Sequence, residues 1–262
     1  MSENRVKDTL AGGGLAVGLF VSEFGTTGMS RTAAAAGADF LVFDLEHTGW
    51  SMETARVLAA SSRADDVVCC VRVPAHDYHF IARTLDTGAM GVMVPRVETE
   101  EQARSIVASA KYPPLGVRGF GLVYEDQFEG DDVGATISRH NERTLVIAQI
   151  ETALGAQNVE AIANVDGVDV LWIGHFDLTS SLGIPGELDH PLYREAVDKI
   201  ARACHEAGKA VGAAAPTMAE GHRLLDKGFR CLAYSEDILL LQEALSAGLA
   251  DLRKYATDAT RS

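Results

Sequence analysis

The chain has 262 residues, of which 47% are hydrophobic and 23% charged, so it carries enough apolar material for a full core. Its net charge of −14 argues against nucleic acid or an anionic membrane as the main partner. A small anionic substrate stays compatible with that charge, because an Arg, a metal ion or backbone N–H groups can reverse the field inside a pocket.

The opening MSENRVKDTL lacks the apolar segment of a signal peptide. No apolar run approaches the roughly 20 residues of a membrane-spanning helix, so a cytoplasmic protein without membrane partners is expected. The glycines of AGGGLAVG (11–18) precede the first strand. A dinucleotide fingerprint needs them after a strand and at the start of a helix, so that reading is set aside.

Eight apolar, β-rich runs follow in order: 15–22, 40–46, 67–73, 90–95, 144–150, 170–175, 210–215 and 231–235. They are continuous rather than alternating, as in strands covered on both faces. Between them, helical spacing covers 52–63, 77–88, 98–110, 152–164, 191–208, 217–228 and 236–255. Gly37, Gly88, Gly208 and Gly228 stand where helices end in a left-handed residue. Alternating strands and helices imply a parallel sheet with right-handed crossovers. Eight repeats in about 250 residues predict a closed (β/α)8 TIM barrel, a single domain over 1–262, ahead of an open doubly wound sheet.

One connection, about 112–143, is long; it carries PPLGVRGFG and then the acidic YEDQFEGDDVG. It reads either as a lid or as a surface insertion. The last helix is apolar at Ile238, Leu241, Leu245, Leu249 and Leu252, which suits packing on its own barrel or on a neighbouring subunit. Cys69, Cys70, Cys204 and Cys231 form no C-x-x-C pair and read as buried reduced thiols.

Four strand ends carry chemistry: FDLEH (43–47), VRVP (71–74), QIE (149–151) and IGHFD (173–177). A barrel gathers such ends around one mouth. Glu151 and Asp177 would lie on neighbouring strand ends, where two carboxylates repel unless a proton or cation sits between them. A hard divalent ion with oxygen ligands is one solution; taken singly, each acid also reads as a helix cap or an Arg partner. Asp44 and His47 read as a carboxylate fixing the tautomer of a general base. Arg72 reads as a salt bridge to Asp44 or Glu46, or as a fixed charge for an enolate oxygen. A Schiff-base mechanism is disfavoured, because none of the six lysines falls at the C-terminal end of an expected strand.

These motifs, with GAMGVMVP (88–95) and YPPLGVRGFG (112–121), resemble in order and spacing those of the HpcH/HpaI aldolase family, the metal-dependent class II pyruvate aldolases. The resemblance runs over roughly 15–245. It implies Glu151 and Asp177 as metal ligands, and His47 supported by Asp44 as the acid/base pair acting through a water on the metal. It further implies Arg72 steadying the ketone or enolate oxygen, Gln149 near the 2-oxo acid, and the turn from Gly174 to Asp177 holding its carboxylate. A homohexamer, a trimer of dimers with the last helix exchanged between subunits, is also implied. The sequence departs from the family's usual Pro-Ala at His175 and Phe176. His175 and Asp177, two apart, would face one side of an extended strand. His175 is then an added ligand, a substrate contact or a reshaping of the pocket, and Phe176 narrows the acceptor site.

The expected activity is aldol cleavage of a 4-hydroxy-2-oxo acid to pyruvate, or a related 2-oxo acid, plus an aldehyde, with Mg²⁺, Mn²⁺ or Co²⁺ holding the enolate. The alternatives are an oxaloacetate-type decarboxylase or a malyl or citramalyl thioester lyase.

Overall fold

In the computed structural model, which describes residues 4–120 and 132–259, eight parallel strands close into a barrel in sequential order. The strands are β1 (Ala16–Val21), β2 (Phe40–Asp44), β3 (Val68–Arg72), β4 (Gly91–Val94), β5 (Leu145–Ile150), β6 (Val170–Ile173), β7 (Ala210–Ala215) and β8 (Cys231–Glu236). The helices preceding β5 are α1 (Arg5–Ala11), α2 (Gly28–Ala35), α3 (Met52–Ala64), α4 (Tyr78–Asp86), α5 (Glu100–Ala110) and α6 (Val133–Arg143). After it come α7 (Ala153–Gln157), α8 (Val159–Ala163), α9 (His175–Ser181), α10 (Pro191–Glu206), α11 (Met218–Asp226) and α12 (Asp237–Ala259). The expected (β/α)8 architecture is therefore observed, and the pairing of β1 with β8 excludes the open sheet.

Continuous apolar runs become strands because both faces are covered. Phe40, Val42, Cys70, Met93, Ile147 and Trp172 belong to the cluster inside the barrel. The alternate residues Leu41, Phe43, Cys69 and Val71 pack against α3 and its neighbours. Small residues make room for large ones: a Cβ on Gly212 would come within 2.6 Å of the Trp172 ring. The period of two also decides what reaches the mouth. Counting inward positions up from Phe40 and Val68 arrives at Asp44 and Arg72, which are paired in register.

The four glycines expected after helices all have positive φ, 87°, 101°, 66° and 88° in chain order. The stretch expected as one helix over 152–164 is two short ones, broken at Asn158, whose side chain donates to the Glu98 carbonyl. The long connection contains α6. Of its acidic stretch 125–132, only Asp132, the N-cap of α6, lies within the described residues. The N-terminal α1 closes the barrel floor, where Asn4 donates to the carbonyls of Met90 and Arg143.

α12 leaves the barrel. Over 23 residues only Asp237, at its start, is buried, while Leu241, Leu245, Leu249 and Leu252 are exposed. The Asp237 carboxylate accepts from the backbone amides of Ser22, Glu23, Phe24 and Ile238, tying the end of β1 to the helix start. The four cysteines are buried and unpaired, and burial pushes the thiols of Cys69, Cys204 and Cys231 up to about 12. Among the described residues no helix is long and apolar enough to cross a membrane.

Lys111, just after α5, is 3% exposed, and its Nζ donates to the carbonyls of Asn141 and Thr144 at 2.5 and 2.8 Å. Burial, reinforced by Lys7, pushes its pKa down to about 7. Above that value the folded chain binds fewer protons than the unfolded one, so this group makes stability rise with pH. Between pH 7 and 8.5, below the range where the buried thiols act in the opposite sense, urea denaturation should show a gain of up to about 2 kcal/mol. The Lys111→Met variant should lose that slope.

Candidate active site

The C-terminal ends of the strands surround a cavity of about 230 Å³. Its floor is aromatic, with Phe20 and Trp172 tilted at 6.3 Å between ring centroids. His47, Arg72, Gln149, Gly174, His175 and Asp177 line its polar side.

Asp44 organises one wall. It is 1% exposed and accepts two parallel bonds from Arg72, Nε to Oδ1 at 2.8 Å and Nη2 to Oδ2 at 2.7 Å. The same two oxygens accept from the backbone amides of Glu46 and His47. Arg72 also lies 3.3 Å from Glu46, and its guanidinium sits 4.8 Å above the Phe20 ring. Asp44 therefore reaches His47 through the backbone, and the expected carboxylate-to-ring contact is not made. Strand register places Asp44 beside Arg72, which takes both of its oxygens. The carboxylate nearest the His47 ring is Glu46, with Oε2 at 3.6 Å from Nε2. Glu46, expected only as a salt-bridge partner of Arg72, is thus the acid beside the ring. Its position directly before His47, at the end of the same motif, was the available signal.

Glu151 lies behind the opposite wall, against Gln149 and Gly174. It is 3% exposed; Oε1 accepts from the Arg96 amide at 2.7 Å and Oε2 from Gln149 Nε2 at 2.5 Å. Arg96 takes a φ of 52° to present that amide. Burial pushes the Glu151 carboxyl up to about 7, with Glu46 and Asp177 pushing the same way against the Arg96 amide and Arg72. Burial likewise raises Glu46. Asp177 lines the cavity with no hydrogen bond or ion pair to its carboxylate among the described residues. The buried Gln149 Oε1 has no hydrogen-bond partner.

These facts fit a hard cation. Glu46 and Asp177 both disfavour the charged form of Glu151, and the carbonyl oxygen of Gln149, a cavity-lining residue, is buried without a partner. Among the described residues no group of three or more His, Cys, Asp or Glu is placed to hold a metal. A cation on Glu151 and Asp177 would thus take its remaining ligands from substrate and water.

The expected strand over 170–175 ends at Ile173, and His175 and Asp177 lie in the first turn of α9. Residues two apart on a helix do not share a face, so the extended-chain reading of this pair is corrected. His175 is held against Phe176 at 4.2 Å between ring centroids, and burial lowers its pKa. Phe176 is 64% exposed at the rim. Ser235, Glu236 and Leu239, outside the four strand-end motifs, also line the cavity. The Ser-Glu-Asp closing β8 repeats the pattern of an apolar run ending in polar residues, and that was the signal.

A closed eightfold barrel with an Arg, a His and several carboxylates on successive strand ends defines an enzyme of the TIM-barrel class. The profile of the HpcH/HpaI aldolase/citrate lyase family matches residues 16–244. A 4-hydroxy-2-oxovalerate aldolase from Rhodococcus jostii (strain RHA1) is 34% identical over 254 residues, covering 97% of each chain. A hydroxypyruvate/pyruvate aldolase from Chromohalobacter salexigens is 34% identical over 221 residues, 84% of this chain and 87% of that one. The crystal structure of an HpcH/HpaI aldolase from Desulfitobacterium hafniense DCB-2 superposes with a TM-score of 0.90 at 30% identity, covering 94% and 96%. The chain belongs to the HpcH/HpaI aldolase/citrate lyase family and is a carbon–carbon lyase.

Gly174 lets these walls meet. A Cβ there would lie 2.4 Å from Glu151 Oε2 and 2.8 Å from Gln149 Nε2. Gly174→Ala must displace both side chains. Aldol turnover should fall about 100-fold, the usual penalty for a shift near 1 Å in a catalytic group. Circular dichroism should show the barrel retained.

Proposed function

We propose that the protein catalyses reversible aldol cleavage of a 4-hydroxy-2-oxo acid to pyruvate, or a related 2-oxo acid, and an aldehyde. The observation that carries this reading is a cavity sized for a small acid, lined by Arg72, Gln149 and Asp177, with the Glu151 carboxylate held against Gln149 just behind the lining and within electrostatic reach of Asp177 and Arg72. Glu151 and Asp177 would hold Mg²⁺, Mn²⁺ or Co²⁺. Bound there, the ion supplies Lewis-acid polarisation of the 2-oxo carbonyl.

The chain's own groups account for the rest. Arg72 is fixed by Asp44 and Glu46, so its guanidinium meets developing charge on the ketone oxygen without reorganising. Gln149 is held by Glu151 and keeps Oε1 free for the bound acid or its cation. His47 is the base that accepts the 4-hydroxyl proton as the C3–C4 bond breaks; its side chain is 63% exposed and lines the cavity. The three-carbon fragment leaves as the enolate and is protonated at C3. The aromatic floor keeps water away from it during that interval. His175 and Phe176, standing at the rim where the aldehyde would enter, shape acceptor choice.

The leucines along α12 support assembly of several copies, with this helix exchanged in a hexamer as the family resemblance implies. The unpaired buried thiols support a reducing, cytoplasmic setting.

Proton NMR of pyruvate in D₂O tests the reaction. Wild-type protein with Mg²⁺ or Mn²⁺ should exchange the methyl protons, and EDTA should stop it. Glu151→Gln should lower exchange and aldol cleavage by at least about 100-fold. Near-normal turnover in that variant would overturn the assignment. His47→Ala should lose aldol cleavage yet keep decarboxylation of oxaloacetate, which needs no base at a 4-hydroxyl; if both reactions survive, His47 is not the base.

A further inference from the structure

A second cavity lies at the other end of the barrel. It measures about 650 Å³ and opens beneath the N-terminal ends of β7 and β8. Leu10, Ala11 and Gly13 of the α1 segment form one side, so the AGGG run set aside as a nucleotide fingerprint is part of a wall. The opposite side carries Arg202, His205, Lys209, Lys227 and Arg230, with Asp198 the acid among the lining residues. Four permanent cations against one carboxylate is a local excess of positive charge on a chain of net charge −14.

Two of the cations have structural work. Arg230 Nη1 donates to the carbonyls of Leu225 and Phe229 near the end of α11, and Lys227 pairs with Asp198. Cations near helix C-termini are favoured by the backbone dipole, which accounts for these two. Arg202 and His205 near the end of α10, and Lys209 just after it, share that placement but not the pairing. Arg202, His205 and Lys209 make no side-chain hydrogen bond or ion pair among the described residues, although Arg202 feels the more distant Glu160. They lie on α10 and the loop after it, spaced so that one helix face and its exit turn present all three to the same hollow. The nearby Asp169 on the barrel floor is already paired with Lys7 at 3.1 Å.

We propose that this cavity binds a small anion with two or more negative charges, of the phosphate or polycarboxylate kind. Arg202 and Lys209 supply the unneutralised charge, and His205 adds a donor between them. Such an anion would bridge α10 to the β7 entrance, at the end of the barrel away from the cavity where bond cleavage takes place. Charge-assisted bonds in a partly enclosed pocket are the means by which so acidic a chain could hold it.

The test is isothermal titration calorimetry at constant ionic strength on the magnesium-loaded enzyme saturated with pyruvate. Inorganic phosphate and tricarballylate are titrated separately. At least one should bind saturably at about one per chain; the tighter of the two identifies the phosphate or the polycarboxylate source. The Arg202→Ala/Lys209→Ala double variant should bind that anion at least about tenfold more weakly. Its aldol turnover without added anion should match wild type. Absence of saturable binding by either anion overturns the proposal, as does undiminished affinity in the double variant. The readout is heat of binding, so failure of the aldol assignment leaves it interpretable.

Discussion

The Asp44 carboxylate is the constraint on which the mouth of the barrel depends. It is almost wholly buried, and every bond it makes holds something else in place. Two donations fix the plane of the Arg72 guanidinium, and two more fix the turn that carries Glu46 and His47. Burying a charge is tolerable only when its partners are this complete, and removing one member of such a pair typically costs about 3–5 kcal/mol. Arg72 in turn stands among Asp44, Glu46 and Glu151. Without it three carboxylates would share one dry space. The barrel thus holds one cation permanently and arranges the remaining acids so that a second positive charge is welcome.

The opposite wall follows the same logic with backbone groups. Arg96 adopts a left-handed φ so that its amide, rather than its side chain, meets Glu151. Gly174 gives up its side chain so that β6 can pass close to that carboxylate. Parallel topology supports both walls at once: strand C-termini and helix N-termini face the reacting end, while helix C-termini gather at the other. The acids of the mouth and the basic hollow at the floor are therefore placed where the backbone dipoles favour anionic groups and cations respectively.

Much of this was legible because a barrel strand is buried on both faces. The eight runs stood out as unbroken apolar segments, and their polar ends marked the mouth. Asp44, Arg72, Gln149 and Glu151 could be found because each stands at the end of an apolar run. Partner choice was not legible. Whether Asp44 meets Arg72 or the His47 ring depends on inter-strand register, which the order of letters does not display. His175 was placed on a strand because the apolar run continues through Gly174, but the chain turns into a helix one residue after it. The anchoring of α12 by Asp237 pairs residues more than 200 positions apart, and local spacing carries no trace of that.

The buried cysteines have a further consequence. Cys69, Cys70 and Cys231 lie in strands of the barrel wall and Cys204 on the buried face of α10, all with thiols held far from ionisation by burial. Alkylating and oxidising reagents attack thiolates, so the closed barrel shields these sulfurs from both. Labelling then waits on opening of the wall, and its rate becomes a clock for that opening. The three wall sulfurs report separation of β3 or β8 from their neighbours, and the fourth reports lifting of α10. Order of modification along the chain would thus read out which side of the barrel yields first.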